Sequence, residues 1–457
     1  MSDKVELLIE IGCEEIPARM LPRAAGDLSA VVGELLDQGG LAHEDPVPLW
    51  TPRRLSVRVP GTQVQTAAAE ETVIGPPASV AWDEEGRPTR AASGFANKQG
   101  VSADELQRVQ TGRGVYAGVI VHKEPVDVGK VLAAGVERAV SRISFPKTMT
   151  WGEGRYTFVR PVHWLVALAD DRVLPLELFG VPAGRESRGH RVLAEGPVEV
   201  ASASAWASSL EAAHVQPDPS QRRERLRAEL VRSARDAGGE LVEDEELLQE
   251  VADMVEVPAA LAGYFDPRFV AELPAEVLAT CLKHHQKAFS VRSGAGREPA
   301  FAVAVNMPDD PEGHIRRGHE WVVSGRLEDA LFFWKEDLRR PLADRAGDLE
   351  GVVFHERLGT YADKTRRVIG LCGWLESGAA LDGREAAGLV RAAELARCDL
   401  VTGLVGEFPE LQGVVGGLLA AAEGEPAVVV DALSRLYRPA GPADDLPQAP
   451  VSRLLGL

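Results

Sequence analysis

Apolar and polar positions fall into two kinds of register along this chain, strand-like in the first half and helical in the second. Residues 5–11 (Val-Glu-Leu-Leu-Ile-Glu-Ile) read as a strand, and the helical stretch that follows from Pro17 to Asp37 closes at Gly39-Gly40. Thr51 to Val59 alternates as a second strand, with Arg53, Arg54 and Arg58 interspersed. Short helices and strands such as Val115–Val121 fill 78–125, and a helix over Val128–Ser141 precedes an irregular basic segment. Leu165–Ala169 and Val173–Leu178 form an expected strand pair joined across Asp170-Asp171.

From about residue 200 the pattern turns helical. Gln221–Gly238 is one helix, with Ser220 placed to cap it, and Glu243–Val255 and Pro274–Lys287 are two more. Phe301–Asn306 returns to strand. Leu327, Ala330, Leu331 and Trp334 then mark a helical stretch from Arg326 to Gly351 by their i, i+3, i+4, i+7 spacing. Beyond Glu356 helices are expected at 360–376, 384–405 and 410–422. The expected class is therefore α+β: a mixed α/β N-terminal body followed by an all-helical unit. Its divisions are 1–200, which holds the basic segment, 201–350, which passes from α/β to helix, and 351–457. The last residues, Val451–Leu457, read as a helix that has just begun, without a C-cap.

Composition adds little to the class and more to the function. The 457 residues carry a net charge of −19, which argues against indiscriminate coating of nucleic acid. Charge is nevertheless local, because salt screens beyond about 8–10 Å. Between Ser141 and Arg191 eight basic residues face five acidic ones. Four scattered cysteines form no framework and fit a reducing compartment. With no apolar signal core and no run long enough to span a bilayer, the expected location is cytoplasmic, away from membranes.

Signatures of catalysis are missing from the sequence. It holds no phosphate-binding loop, no dinucleotide glycine fingerprint, no GxSxG or HExxH string and neither short signature of class I tRNA synthetases. Cys281-x2-His284 with His314-x4-His319 offers a loose zinc template. The alternative, Cys281 packed on an apolar helix face with the histidines solvated or touching phosphate, is preferred. Cys398-Asp399, within a helix Ala392–Leu404, sits where a metal phosphohydrolase of the HD type would carry His-Asp. A lone carboxylate there suits capping or pairing better than metal binding. No metal and no catalytic residue are assigned.

The basic strings are more informative. Phe145-Pro146-Lys147-Thr148-Met149-Thr150-Trp151 leads to Phe158-Val159-Arg160-Pro161-Val162-His163-Trp164, cations interleaved with aromatics as RNA recognition requires. Taken singly, those aromatics read as core. Gly184-Arg185-Glu186-Ser187-Arg188-Gly189-His190-Arg191 sets three arginines among glycines, fit for RNA or an acidic partner. Lys283 and Lys287 lie one turn apart near a helix end, where they serve RNA or the helix dipole equally. The run Arg222, Arg223, Arg225, Arg227 reads as a solvated face. The expected RNA contacts are Lys147, Arg160, Arg185, Arg188, Arg191, Lys283 and Lys287.

Several strings, in order, resemble the beta subunit of bacterial glycyl-tRNA synthetase: Leu7–Pro17, Thr51–Leu55, Phe145–Met149, Phe158–Trp164, Gly184–Arg191, Leu358-Gly359 with Asp363–Thr365, and Glu407–Gly413. The resemblance implies a non-catalytic subunit that binds tRNA(Gly) and assembles with a separate alpha subunit, two of each per complex. ATP and magnesium are then used on the alpha subunit, and this chain carries no cofactor. It further implies an N-terminal body akin to a tRNA-editing domain, a degenerate HD-like helical domain that is incomplete here, and a missing anticodon-binding domain. His319 stands where the family usually has Asn, and Ala288 where it has Tyr. Two other readings are an HD-type metal phosphohydrolase and a protein-binding module that makes no RNA contact.

Overall fold

The computed structural model describes residues 4–66, 69–123, 125–293, 298–378, 381–442 and 444–457. The chain forms two compact units, Met1–Pro219 and Ser220–Leu457. Both mix helix and sheet, as the α+β expectation requires.

The first unit is built on strands β1 (Lys4–Cys13), β2 (Val47–Thr51), β3 (Arg54–Gln63), β9 (Val162–Ala169) and β10 (Arg172–Val173), with β4 to β8 intervening in the chain. They form one antiparallel sheet in the order β10-β9-β1-β3-β2. Strand β1 is central and covered on both faces, so its sequence is nearly continuously apolar rather than alternating. Leu7, Ile9 and Ile11 face helix α1 (Leu21–Gln38) in one core. Leu8, with Val166 and Leu168 of β9, faces a second core completed by Val200, Ala203 and helix α6 (Trp206–Ala212). Between the two halves of this sheet in sequence lie β4 (Ala69–Pro77), β5 (Gln107–Thr111) and β6 (Gly114–Lys123), a separate sheet carrying α2 (Ala78–Ala81) and α3 (Arg90–Gln99). Helices α4 (Val128–Ala133) and α5 (Val136–Val140) lead into the hairpin β7 (Met149–Trp151) and β8 (Tyr156–Phe158). Two further strand pairs, β11 (Glu177–Leu178) with β12 (Val181–Pro182) and β13 (Glu186–Arg188) with β14 (Pro197–Glu199), complete the unit.

The second unit opens with α7 (Pro219–Asp236), β15 (Gly239–Leu241) and α8 (Glu245–Ala252). Its sheet, in the order β15-β17-β18-β16, adds β16 (Ala259–Tyr264), β17 (Ala288–Ser293) and β18 (Ala300–Val305). Alternation along β18 divides its faces: Ala302 and Ala304 pack towards α7 and α8, Phe301, Val303 and Val305 towards the opposite core. Helices α9 (Arg268–Glu272) and α10 (Ala275–Thr280) precede β17, and α11 (His314–Asp337) follows the sheet. The short strands β19 (Val353–His355) and β20 (Gly359–Thr360) introduce α12 (Tyr361–Gly378), α13 (Gly383–Leu395), α14 (Gly403–Glu407), α15 (Val414–Ala422), α16 (Ala427–Ser434) and α17 (Pro450–Gly456). One continuous core takes residues from Ala259 of the sheet to Leu455 of α17.

Several local expectations need correction. The strand expected over Val173–Leu178 is broken, only Val173 pairing with β9 while Glu177–Leu178 pairs with β12. The helix expected over Val128–Ser141 is split into α4 and α5, and the helical stretch expected from Arg326 to Gly351 is interrupted after Asp337. The helix expected through Ala392–Leu404 stops at Leu395, because Arg397 adopts a left-handed φ of 69°, and Cys398–Val401 forms a 3-10 turn. Arg222 is not on a solvated face: it is fully buried, its guanidinium 3.2 Å from Asp253 and donating to the Ala252 carbonyl at 2.8 Å. The helix expected over Pro274–Lys287 ends in a π-helical turn at Cys281–His285, and Lys287 itself has φ 51°. Lys283 and Lys287 therefore do not share a regular helix face. No helix among the described residues is long and apolar enough to cross a membrane.

Candidate functional site

The register of the first sheet brings four of the quoted strings together around one side chain. Gly12 of β1 lies opposite Arg54 of β3 and Trp164 of β9, while Glu10 lies opposite Ser56 and Val166. Opposed residues share a face, so Glu10, Arg54 and Trp164 all point into the core under α6. Glu10 is fully buried. Its carboxylate accepts hydrogen bonds from the indole nitrogens of Trp164 and Trp206 and, at 2.5 Å, from the Ser187 hydroxyl. The Arg54 guanidinium, equally buried, stands 3.9 Å away and donates to the Arg188 carbonyl at 2.8 Å. Arg53 lies over the Trp164 ring at 5.5 Å and donates to the Gly189 carbonyl at 3.3 Å.

A buried charge costs several kcal/mol unless paired and hydrogen-bonded, and here the pairing is supplied by residues up to 196 positions away. Glycine at 12 is obligatory for the same reason. A Cβ there would lie 1.8 Å from Cε2 of Trp164. The strings Leu7–Pro17, Thr51–Leu55, Phe158–Trp164 and Gly184–Arg191 thus converge on a structural knot. Sequence reasoning had treated Trp164 as a core residue but had given Glu10, Arg54, Ser187 and Trp206 no role. The available signal was a glutamate inside an otherwise apolar central strand.

Outside this knot, the end of β1 carries an ionic cluster. Glu14 is 3.2 Å from Nε2 of His163 and 3.0 Å from Arg191, which also reaches Glu15 at 3.5 Å. Arg160 donates through Nε to the Glu15 carbonyl and through Nη1 to that of Val159, both at 2.9 Å. Phe145 meets Phe158 edge-on at 5.1 Å, which brings the segment bearing Lys147 to the same end of the sheet.

The seven expected contact residues therefore differ in their electrostatic standing. Lys147 is exposed and makes no ion pair or hydrogen bond among the described residues. Arg160 and Arg185 are held by main-chain carbonyls, Arg185 by those of Asp171 and Ala201 at 2.8 and 3.3 Å, so neutral partners position them and leave their charge in place. Arg188 has only a marginal carboxylate neighbour, Glu186 at 4.0 Å. Arg191 is paired with two glutamates. In the second unit Lys283 lies 2.6 Å from Asp244, and Lys287 lies 2.9 Å from Glu250. Burial is the largest single influence on both Lys283 and Asp244 and opposes their charges, but their mutual hydrogen bond and charge attraction, with backbone amides that also donate to Asp244, together outweigh it, raising the lysine and lowering the carboxyl. Arg185 stands near Asp171, which follows the far end of β9, whereas Arg160 precedes that strand, so about eight residues of strand, or roughly 25 Å, separate the two. Lys147, Arg160, His163 and Arg191 share one end and Arg185 the other.

The remaining candidates have structural uses. Cys281 is buried among apolar residues, and burial pushes its thiol up to about 12. No group of three or more potential metal ligands occurs among the described residues. Asp399 is 1% exposed, and its Oδ2 accepts from the amides of Gly413 at 2.5 Å and Gly416 at 3.3 Å, so it fastens the turn before α15 to the bundle. Cys398 is buried beside it, its thiol 3.7 Å from the Glu394 carbonyl.

A sheet with basic strings on its loops does not by itself name a function. The comparisons are specific. Residues 7–457 match the family model described as glycyl-tRNA synthetase beta subunit. The chain is 40% identical over 454 residues to the glycine–tRNA ligase beta subunit of Nitratidesulfovibrio vulgaris, covering 99% of this chain and 64% of that protein. The corresponding subunit of Myxococcus xanthus is also 40% identical, with the same coverage, and that of Geobacter metallireducens is 38% identical, with 66% of its length covered. The chain belongs to the glycyl-tRNA synthetase beta subunit family. It spans about two thirds of the length of these relatives, slightly less in each case.

Proposed function

We propose that this chain is a tRNA-binding and assembly subunit of a cytoplasmic glycine–tRNA ligase, itself non-catalytic. Its partner is an alpha subunit that activates glycine with ATP and magnesium, in a heterotetramer of two alpha and two beta chains, and its nucleic-acid ligand is tRNA(Gly). The observation that carries the reading is the match to glycine–tRNA ligase beta subunits along 99% of this chain. The charge geometry supports a contact surface at the β1 end of the first sheet, where Lys147 and Arg160 form no direct ion pair with a carboxylate among the described residues. Arg185 and Arg188 extend that charge along the sheet. Arg191, Lys283 and Lys287 contribute less, since each already has an acidic partner.

Filter binding of tRNA(Gly) across a salt series tests this ranking. Lys147→Glu and Arg160→Met should each weaken binding and lower the salt slope by about 0.7–0.9 if each cation meets one phosphate. Lys283→Met should change it less. Unchanged affinity when each of the seven candidate cations is substituted in turn retires the RNA surface, and tRNA binding seen only with the alpha subunit present reassigns it to assembly.

A further inference from the structure

The second unit contains a cavity whose lining, Lys287 apart, takes no part in the roles above. It measures about 400 Å³, within the 300–1,000 Å³ usual for small-ligand sites. Its walls are apolar, from Val251, Val255, Val303, Val305 and Ile315, with Met254 and Met307 as adaptable thioethers. Polar groups interrupt this lining. Asn306 accepts at its side-chain oxygen from the amides of Glu256 and Val257, at 2.8 and 2.9 Å, which fixes its carboxamide and leaves the NH2 as donor. Gln286 and His319 also line the cavity and make no side-chain hydrogen bond among the described residues. The Nε2 of His285 is buried without a hydrogen-bond partner, 3.8 Å from Glu410, its ring edge-on to Phe408. Lys287, also in the lining, is a non-glycine residue held at φ 51°, a conformation that costs about 1–3 kcal/mol and is concentrated at binding sites.

Charge decides which ligand fits. Lys287 is matched by Glu250 at 2.9 Å, Glu410 faces His285, and burial lowers the pKa of His319 so that its imidazole is neutral at pH 7. The lining is thus close to electroneutral, which suits neither a polyanion nor a metal ion. A largely apolar lining that also holds amide and imidazole donors and acceptors matches an uncharged heteroaromatic ring, whose faces want apolar contact and whose edge wants hydrogen bonds.

We infer that this cavity receives an unpaired nucleobase, with Asn306, Gln286 and His319 reading its edge. As a site on bound RNA the inference rests on the function proposed above; the same chemistry would also accept a free nucleoside. Two arms separate the sources. Chemical probing of tRNA(Gly) bound to the full chain should show one unpaired base protected at its hydrogen-bonding edge. His319→Trp, which plugs the cavity from the exposed start of α11, should remove that protection and weaken binding about tenfold, and His319→Ala should give a smaller loss. Saturation-transfer NMR with adenosine, guanosine, cytidine and uridine forms the second arm. Circular dichroism checks that both variants fold. A chain that binds no tRNA yet binds a nucleoside in a His319-dependent manner defeats the RNA reading and keeps the cavity as a nucleoside site. Absence of both His319-dependent protection and nucleoside binding overturns the inference, whatever the overall affinity for tRNA.

Discussion

Replacing Glu10 by alanine should destabilise the first unit by about 4 kcal/mol. The substitution leaves the Arg54 guanidinium, 0% exposed, without the carboxylate 3.9 Å away. Removing one partner of a buried pair costs about 3–5 kcal/mol, because the remaining charge keeps its desolvation penalty. The Trp164 and Trp206 indoles and the Ser187 hydroxyl lose their acceptor as well. Each stranded donor costs about 1–3 kcal/mol when dry. Those costs do not simply add, since water can enter the vacated space, and the total stays near the middle of the pair's range. For a unit of about 219 residues, each kcal/mol lowers Tm by about 2–4 °C, so a fall of about 8–16 °C is expected. Thermal and urea unfolding followed by tryptophan fluorescence reads this directly, because two of the donors are indoles. Glu10→Gln keeps the volume and one acceptor oxygen and should cost roughly half as much. The double variant Glu10→Leu, Arg54→Met should regain much of what Glu10→Leu loses, since an apolar pair can replace a buried ion pair at little cost. A Glu10→Ala protein melting within 2 °C of the parent would refute the reasoning, as would a double variant no better than Glu10→Leu alone.

Two other substitutions follow from the same geometry and from the bundle. Gly12→Ala drives a methyl into the Trp164 indole, which cannot move aside without leaving Glu10. A loss of about 3 kcal/mol, at the upper end for overpacking, should appear in the urea midpoint together with a shift in tryptophan emission; parental stability would show the indole is free to move. Burial raises the Asp399 pKa although the Gly413 and Gly416 amides pull it down. A carboxyl raised in the folded state loses stabilising effect as pH rises from about 4 through its folded pKa. Asp399→Asn keeps an acceptor and removes the titration, so the variant should gain on the parent as pH increases across that window; a constant difference in urea midpoint contradicts the assignment.

Much of the first sheet was legible from periodicity, since β1, α1 and β9 are local patterns, although the strand expected over Val173–Leu178 joins β9 only through Val173. Their joint purpose was not. Glu10 meets Trp164 and Trp206 across 154 and 196 residues, and nothing in a local window says which of several aromatics will turn an N–H towards a carboxylate. The density of arginines in Gly184–Arg191 looked like a ligand surface, yet the backbone of that string is partly spent on Arg53 and Arg54. Arg222 was misplaced because its run is polar in sequence, while the partner that draws it inside, Asp253, lies 31 positions on. The helix break at Arg397 carries no proline or glycine to announce it. Lys283 and Lys287 were found as cations, but their acidic neighbours on and before α8 are visible only in three dimensions.

The single core running from Ala259 to Leu455 bears on how the second unit can be dissected. Leu327, Ala330 and Trp334 of α11 belong to the same apolar mass as Leu389, Leu419 and Val429 of the bundle, so a break in the polypeptide near residue 350 would sever the connection without dividing the interior. Each fragment made alone would present a large oily surface and precipitate or be degraded. Made together in one cell, the two should find each other and restore the whole, giving a split protein whose reassembly reports on the integrity of that shared interior.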